Sequence, residues 1–580
     1  MSAYLGVEHS VLGRRWEGPT PDVERRAEAL AQQTRHPQAL CNVLARNGVD
    51  ASGVEDYLAP SLRALLPDPL TLRDMGSAAS RLLNAVERRE KIAIFADYDV
   101  DGGCSAALLL NWLRDLGQEA TLYVPDRIDE GYGPNEPAME ALARTHRLIV
   151  CVDCGTLSHG PVAAARGADV IILDHHLGAE TLPPAVAVVN PNRQDESGEL
   201  GHLCAAGVVF LALVEANRQL RARGAQGPDL MGLLDLVALA TVADVAPLVG
   251  VNRAFVRQGL KVMGQRRRAG LTALADVARI DTAPTPYHLG FVLGPRVNAG
   301  GRIGAADLGA RLLSTRDPHE AGQMAAQLDQ LNAERRAIEE AVRVEALAQA
   351  EARGVDGPLV WAAGDGWHPG VIGIVASRLK EATNRPAIVI ALDGAEGKGS
   401  GRSVAGIDLG ASIQRLAAEG LLIKGGGHRM AAGLTVARDQ LEAAMERLAS
   451  LLERQGAGRE TGRPLQIDGL LMPAGASVTL VETLEQAGPF GQAAPAPRFA
   501  FPNMTIFDAR RVGSNHLKIR FGDMTGPQVE GIAFGAFDGP LGPVLESAGR
   551  ARFHLAGRLE INSFGGRNRV QLRLEDAASA

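Results

Sequence analysis

The sequence predicts an α/β protein of several domains: a parallel, helix-covered sheet, a second α/β lobe joined to it by a long helix, and a C-terminal β-barrel. Three observations predict it. From residue 91 the apolar runs KIAIFA, EATLYVP, RLIVCVD, DVIILD and AVAVVN recur, with helix-like segments such as PNEPAMEALART and SHGPVAAARG between most of them; strands alternating with helices indicate a parallel sheet. Residues 316–353 are rich in Ala, Glu, Gln and Arg, with no proline after Pro318, which predicts a long helix. Past 465, HLKIRFGD, QVEGIAFGAF, ARFHLAGRLE and NRVQLRLED alternate between Gly-bearing turns, the pattern of a small barrel or sandwich.

Taken in order, residues 1–75 form an N-terminal segment of mixed texture, with helical stretches such as PDVERRAEALAQQ. Residues 76–315 carry the parallel sheet and, around 229–250, an apolar helix running into a turn. Residues 316–353 are the connector. Residues 354–460 return to α/β patterning with glycine-rich turns, GKGSGRS and KGGGHRMAAG among them. Residues 461–580 are the barrel.

Composition bounds the answer without deciding it. At 580 residues the chain is too long for one core. Its 46% apolar and 22% charged content suits a globular protein, and no apolar run is long enough to span a bilayer. MSAYLGVEHSVLGRRWEG lacks the apolar stretch of a signal peptide. The five cysteines, 41, 104, 151, 154 and 204, are sparse and odd in number, as in a reducing cytoplasm. Cys151 and Cys154 form C-x-x-C without a second pair, so they read as packing residues. A net charge of −7 does not advertise a polyanion partner, yet an acidic chain can still be basic along one groove.

The chemistry concentrates where strands end. FADYDVDGGCS places Asp97, Asp99 and Asp101 at alternate positions on a strand-to-helix turn. Carboxylates that close repel one another unless a cation sits among them. A calcium loop is excluded, because the twelfth position counted from Asp97 is Leu108. RLIVCVD ends at Asp153, DVIILDHH at Asp174, His175 and His176, and TVADV sets Asp244 after the apolar helix. The carboxyl ends of parallel strands share one edge, so Asp97, Asp99, Asp101, Asp153, His175 and Asp244 can converge. Taken singly, each aspartate reads as a cap or turn residue; the joint pattern points to metal. Carboxylates with imidazole and no thiolate suit Mn²⁺, Mg²⁺ or Zn²⁺. This many negative charges call for two cations, and the histidine favours Mn²⁺ over Mg²⁺. In the second lobe, GKGSGRS reads either as an anion cradle of backbone N–H groups and an arginine fork or as ordinary turns. It lacks the ending of a Walker loop. Arg253, Arg257 and Lys261, spaced by four, read as a basic helical stripe facing solvent or bordering a ligand's path. In the barrel, Lys518, Arg520, Arg552, Arg558, Arg567, Arg569 and Arg573 suggest a basic face, with Phe521, Phe534 and Phe564 as core or as stacking surfaces.

DYDVDG together with DHH resembles the DHH phosphoesterase superfamily. EGYGPN, GPRVNAGGRIG, LNAERRAIE, GWHPGVIGIVASRL, GSGRS, GGGHRMAAG and GPFGQAAPAPRF follow in order and resemble, within it, the RecJ family of single-strand-specific 5′→3′ DNA exonucleases. The resemblance implies a DHH-type domain, a DHHA1-like second lobe and an OB-like barrel. It implies that Asp97, Asp99, Asp101, Asp153, His175 and Asp244 bind two divalent cations, Mn²⁺ or Mg²⁺. Asp174 would orient a histidine, and His176 would face the scissile phosphate, with Asp153 and His428 completing the catalytic set. Arg127, Arg402 and Ser403 would hold the 5′ phosphate, and Arg296 and Asn298 would line the groove. Three departures from the pattern stand out: Gly300, where the family commonly has Ala; the end of VNAGGRIG, where it commonly has a Met; and Arg429, where a small residue usually stands and which reads as a solvent-facing substitution.

The resulting expectation is a metal-dependent exonuclease that degrades single-stranded DNA to mononucleotides in repair and recombination. Its implied partners are single-stranded DNA, single-strand-binding protein and a RecQ-type helicase, in the cytoplasm and away from membranes. One alternative is a small-substrate DHH phosphoesterase, an oligoribonuclease or cyclic-dinucleotide phosphodiesterase; the added barrel weighs against it. The other is a non-enzymatic nucleic-acid-binding protein, which the intact acidic set disfavours.

Overall fold

The apolar run after Lys91 leaves no position for solvent, and it forms a strand buried on both faces: β1, Ile92–Ala96. Around it, in a computed structural model that describes residues 3–127, 129–458, 464–524, 526–564 and 567–580, lie β2 (Ala120–Tyr123), β3 (Leu148–Val152), β4 (Asp169–Leu173) and β5 (Ala187–Val189). They form one sheet, ordered β2-β1-β3-β4-β5 and parallel throughout. The register opposes Ala96 to Val152 and Val152 to Leu173. Asp97, Asp153 and Asp174 are therefore each the first residue past one common row.

Helices α1 (Val100–Asp115), α2 (Ala205–Ala222) and α3 (Leu234–Ala243) are largely buried. Gly102 opens α1 because nothing larger fits: a Cβ there would lie 2.3 Å from the Asp97 carbonyl oxygen. Helix α4 (Gly294–Ile303) precedes the predicted long helix, α5, which runs Pro318–Arg353. Asp317 caps α5 by accepting from the His319 N–H at 2.8 Å, and Gly354 stops it at φ 93°. Its 36 residues span about 54 Å.

The second lobe is a mixed sheet of β6 (Val360–Asp365), β7 (Ala387–Asp393), β8 (Glu396–Arg402), β9 (Lys424–His428) and β10 (Ala431–Ala437), with α6 (Pro369–Thr383) and α7 (Leu409–Ala418). The strand order is β9-β10-β8-β7-β6, and only β6 and β7 run parallel. This corrects the reading of the glycine-rich segments as turns. GKGSGR lies inside β8 and KGGGH is β9. The glycines make room for apolar neighbours: a Cβ on Gly401 would lie 2.5 Å from Ile388 and 2.7 Å from Leu409.

The chain divides into two units. One comprises Asp68–Ala246 and Gln258–Glu460 and holds everything above; the other comprises Met1–Pro67, Pro247–Arg257 and Thr461–Ala580. In the latter, β11 (Phe499–Val512), β12 (His516–Gly522), β13 (Val529–Ala533), β14 (Arg552–Phe564) and β15 (Arg567–Ser579) make a sheet in the order β11-β12-β13-β15-β14. β11 also pairs with β14, which closes the ring. Phe501, Phe521, Leu555 and Leu572 fill its core. Trp16 is buried in the same unit and donates its indole N–H to Asp576 at 3.1 Å.

Two expectations fail here. Arg253 and Arg257 are not a solvated stripe. Arg253 is 4% exposed, stacks on Tyr57 at 3.8 Å and donates to the carbonyls of Ala487 and Gly488; Arg257 donates to the Leu58 carbonyl. Nor is the barrel face simply basic, because Lys518, Arg558 and Arg573 pair with Glu530, Glu575 and Glu560. Arg520, Arg552 and Arg569 are exposed, Phe521 is core and Phe534 is exposed. The side chains of Arg567 and Phe564 lie outside the described residues.

Candidate metal centre and phosphate cleft

Strand register puts the acids together, and their hydrogen bonds divide their work. Asp99 is the N-cap of α1, accepting from the N–H groups of Asp101 and Gly102 at 2.9 and 3.1 Å. Asp101 is anchored at the start of α2, its two oxygens accepting from Ala205 and Ala206 at 2.7 and 2.8 Å; a helix N-terminus favours a carboxylate. Asp97 and Asp153 differ: each keeps a buried Oδ1 with no hydrogen-bond partner. A buried oxygen without a donor is costly unless something positive meets it.

The six residues named for metal gather into overlapping groups. Ligand atoms of Asp97, Asp99 and Asp153 lie within 4.8 Å of one another, as do those of Asp101, His175 and Asp244, and those of Asp153, His175 and His176. His175 Nε2 stands 3.2 Å from Asp153, 3.6 Å from Asp101 and 3.8 Å from Asp244. Asp153 and His175 belong to two groups each, so neighbouring cations could share them. Electrostatics agree. Burial, then the charge of Asp99, pushes the Asp97 carboxyl well above its usual range. Burial and the aspartates around it do the same to Asp153. Asp244 is pushed up to about 8, by burial first and then by Asp101 and Asp99. Like charges in a dry pocket hold protons until a cation displaces them.

Asp174 has no room for a metal. Its Oδ2 accepts from the Thr156 N–H and hydroxyl at 3.1 and 2.6 Å, and its Oδ1 takes His176 Nδ1 at 2.8 Å. Burial alone would raise its pKa, but the bonds from His176 and Thr156 and the histidine charges outweigh it and hold the carboxyl well below the usual range. Burial would likewise lower His176, but the Asp174 bond and charge, with Asp244 and Asp97, lift it to about 9. Asp174 thus orients His176, whose ring remains partly exposed.

Three arginines face one another in the cleft. Arg127 lies over the Tyr98 ring at 5.0 Å. Burial and then Arg127 lower the Arg402 guanidinium, and burial, Arg127 and Arg335 push Arg302 down to about 10. Mutually repelling buried cations are the counterpart of the acidic pocket and await an anion. Arg302 also donates to the Gly370 carbonyl at 2.9 Å. In the second sheet, His428 opposes Ala431, which opposes Arg402, so His428 and Arg402 share a row. Arg429 is exposed.

Some expected groove residues are engaged elsewhere. Arg296 is committed to Asp329 and the Val292 carbonyl, each at 2.8 Å. The Ser403 hydroxyl is buried and donates to the Ile407 carbonyl at 2.9 Å. Asn298 accepts from the Val100 N–H at 3.1 Å, holding the turn that bears the aspartates. Sequence reasoning passed over Arg302, which lies in the quoted GPRVNAGGRIG, and Tyr132, whose hydroxyl contacts both Asp153 and His176. A cavity of about 590 Å³ is lined by Asn298, Arg302, Arg335, Arg336 and Arg378, with Glu339 and Glu340 among them.

Comparison with known proteins finds the same parts. The DHH family N-terminal domain matches residues 91–241, the DHHA1 domain 356–454 and the RecJ OB domain 467–576. The chain is 39% identical to the single-stranded-DNA-specific exonuclease RecJ of Dickeya dadantii and 37% identical to that of Escherichia coli, in each case over 93% of this chain and 96% of the relative. It is 33% identical to the Bacillus subtilis protein of the same name, over 97% of this chain and 71% of the relative. Among solved structures it resembles Thermus thermophilus RecJ in complex with Mn²⁺, with a TM-score of 0.82, 29% identity and coverage of 97% of this chain and 79% of that one. A Mg²⁺ complex of the same protein gives 0.75 and 27%, covering 97% and 78%.

Proposed function

The chain belongs to the RecJ family of single-stranded-DNA-specific exonucleases, and from that premise we propose that it hydrolyses single-stranded DNA from the 5′ end, releasing mononucleotides, with two divalent cations, Mn²⁺ or Mg²⁺. The observation that carries this reading is the buried, donorless oxygen on each of Asp97 and Asp153, set among Asp99, Asp101, His175 and Asp244. Carboxylates with one imidazole fit these metals.

When bound, such cations supply Lewis acidity, lowering the pKa of water and offsetting phosphate charge. The protein's residues do the rest. Asp97, Asp99, Asp101, Asp153, His175 and Asp244 hold the ions, and Asp101 is itself held by the start of α2. Asp174 fixes the ring of His176 toward the scissile phosphate. Arg127, Arg302 and Arg402 seat the terminal phosphate, which measures one nucleotide from the strand end. His428, in the Arg402 row, meets charge that develops on the phosphate under attack. Ser403 anchors the end of β8 behind Arg402, and Asn298 anchors the aspartate turn. The arginine-lined cavity suits a single strand.

Strands with free 5′ ends arise in repair and recombination, where a helicase and single-strand-binding protein would act beside this enzyme in the cytoplasm. Among the described residues no helix is long and apolar enough to cross a membrane. We place the working domain boundaries at 76–315, 316–353, 354–460 and 461–580, after an N-terminal segment of 1–75. The test uses oligonucleotides labelled at either end, with Mn²⁺ or Mg²⁺. A 5′ label should appear at once as mononucleotide and a 3′ label as a ladder of shortening products. The reverse order, or equal degradation of blunt duplex, would overturn the proposal.

A further inference from the structure

We propose that Tyr132 is a positioning residue of the hydrolytic site, its hydroxyl fixing the phosphate-facing ring of His176 against the backbone of Asp153. The inference rests on the nuclease reading above. The Tyr132 hydroxyl lies 3.0 Å from the Asp153 carbonyl oxygen and 3.0 and 3.2 Å from Nδ1 and Nε2 of His176. A carbonyl only accepts, so the single hydroxyl proton goes to Asp153, and an oxygen lone pair meets the ring. Nδ1 is already bonded to Asp174 at 2.8 Å. The tyrosine oxygen, nearly equidistant from the two nitrogens, lies against the side of the ring that joins them rather than along either N–H axis. Asp174 grips Nδ1 while the tyrosine oxygen, tied to the Asp153 carbonyl, packs against the adjoining side of the ring, and the two contacts together restrict its rotation.

The other end of the contact has a second purpose. Asp153 has a left-handed backbone, φ 61°, a conformation that a non-glycine residue keeps only when its surroundings hold it. Its N–H donates to the Leu173 carbonyl at 3.0 Å, and its own carbonyl takes the tyrosine. Those two bonds clamp the peptide groups on either side of the strained residue and so aim its carboxylate.

The loop that presents Tyr132 is itself fixed. Gly131 and Gly133 flank it at φ 88° and 76°, values that other residues rarely adopt. Glu130 accepts from the Tyr123 hydroxyl at 2.6 Å, the Asp126 N–H at 2.9 Å and the Asn135 amide at 2.9 Å. Asn135 caps the following helix, Glu136–Ala143. The tyrosine ring is exposed, with residue accessibility of 52%, while its hydroxyl reaches inward. An exposed aromatic held this firmly is more than filler.

The experiment compares Tyr132→Phe and Tyr132→Ala with the wild-type full-length protein loaded with Mn²⁺. Tyr132→Phe keeps the ring and removes only the hydroxyl. The expected result is a fall in kcat of about tenfold, with KM for a single-stranded oligonucleotide within about twofold and an unchanged melting temperature. In ¹⁵N-histidine-labelled metal-free protein, the His176 ring signals, assigned with His176→Asn, should shift or broaden in Tyr132→Phe. Wild-type kcat and unmoved His176 signals in Tyr132→Phe, with loss only in Tyr132→Ala, would show that the ring merely stacks and would sink the inference. An inactive wild-type protein would instead refute the nuclease reading, and the ring signals would still decide whether the hydroxyl holds His176.

Discussion

Asp97 and Asp153 follow neighbouring parallel strands in the same row, because the register opposes Ala96 to Val152, and each keeps a buried oxygen without a hydrogen-bond partner. Few arrangements are less favourable in the absence of a cation. Burial raises both carboxyls, helped by Asp99 at Asp97 and by Asp101, Asp99 and Asp97 at Asp153.

Asp153→Asn should therefore do two opposite things. Activity should fall by at least about 100-fold, as loss of a metal-site residue does, while binding of single-stranded DNA persists. The metal-free protein should melt roughly 2–4 °C higher, the shift that about 1 kcal/mol produces in a large domain, because folding no longer has to protonate that buried carboxylate against its own tendency to ionise in the unfolded chain. Activity assays and calorimetry in EDTA measure both. Unchanged turnover would remove Asp153 from the site.

The same charges set a pH dependence. Asp244 has a folded pKa of about 8 against a usual 3.8. A raised carboxyl contributes stability below its unfolded pKa, and that contribution is lost as pH rises through the folded value. The metal-free protein should thus lose stability between pH 4 and pH 8, and Mn²⁺ should restore it most at the upper end. Binding should also release protons, so affinity rises over this range. Melting temperatures at several pH values, with EDTA and with Mn²⁺, test the sign. A flat EDTA curve would contradict it.

Arg302 and Arg296 lie six residues apart on α4, about a third of a turn from one another around the axis. Arg302 meets the arginine cluster, whereas Arg296 is satisfied by Asp329. Arg302→Ala should raise KM for 5′-phosphorylated substrate about tenfold or more and erase the preference over a 5′-hydroxyl end. Arg296→Ala should change it far less. Equal effects of the two substitutions would rule out the assignment.

Gly373 lies on α6, and a Cβ there would come 3.0 Å from the Arg402 guanidinium and from the Ser400 hydroxyl. Both are side-chain ends that can move. Gly373→Ala should therefore fold with near-normal stability yet displace Arg402, giving the phosphate-recognition defect of Arg402→Ala in milder form. Circular dichroism with paired 5′-phosphate and 5′-hydroxyl substrates would show it. An unfolded variant would mean that the neighbours cannot yield.

The gathering of the acids was legible in the sequence because their signal is local: apolar runs of strand length, each ending in Asp, on a sheet whose parallel order follows from the helices between. The long helix announced itself by composition and by Pro318. What escaped depends on partners far along the chain. Nothing near Arg253 reveals Tyr57, some 196 residues away, so a buried cation looked like a solvated stripe. The glycines of GKGSGRS looked like turns because their cause, the bulk of Ile388 and Leu434, lies on adjacent strands. A choice between Arg296 and Arg302 needs the helix rotation that only packing sets. Tyr132 did leave a trace, a tyrosine between two glycines, but the trace shows only that the turn is tight and not what the hydroxyl touches.

The bond from Arg302 to the Gly370 carbonyl joins α4 to the first turn of α6, on opposite banks of the cleft. On the proposed phosphate seat, one guanidinium would be both receptor and latch. Any widening of the channel strains that latch, and drawing the guanidinium toward an incoming anion pulls on it from the other side. Occupancy of the seat and the gap between the banks are accordingly mechanically linked through a single side chain.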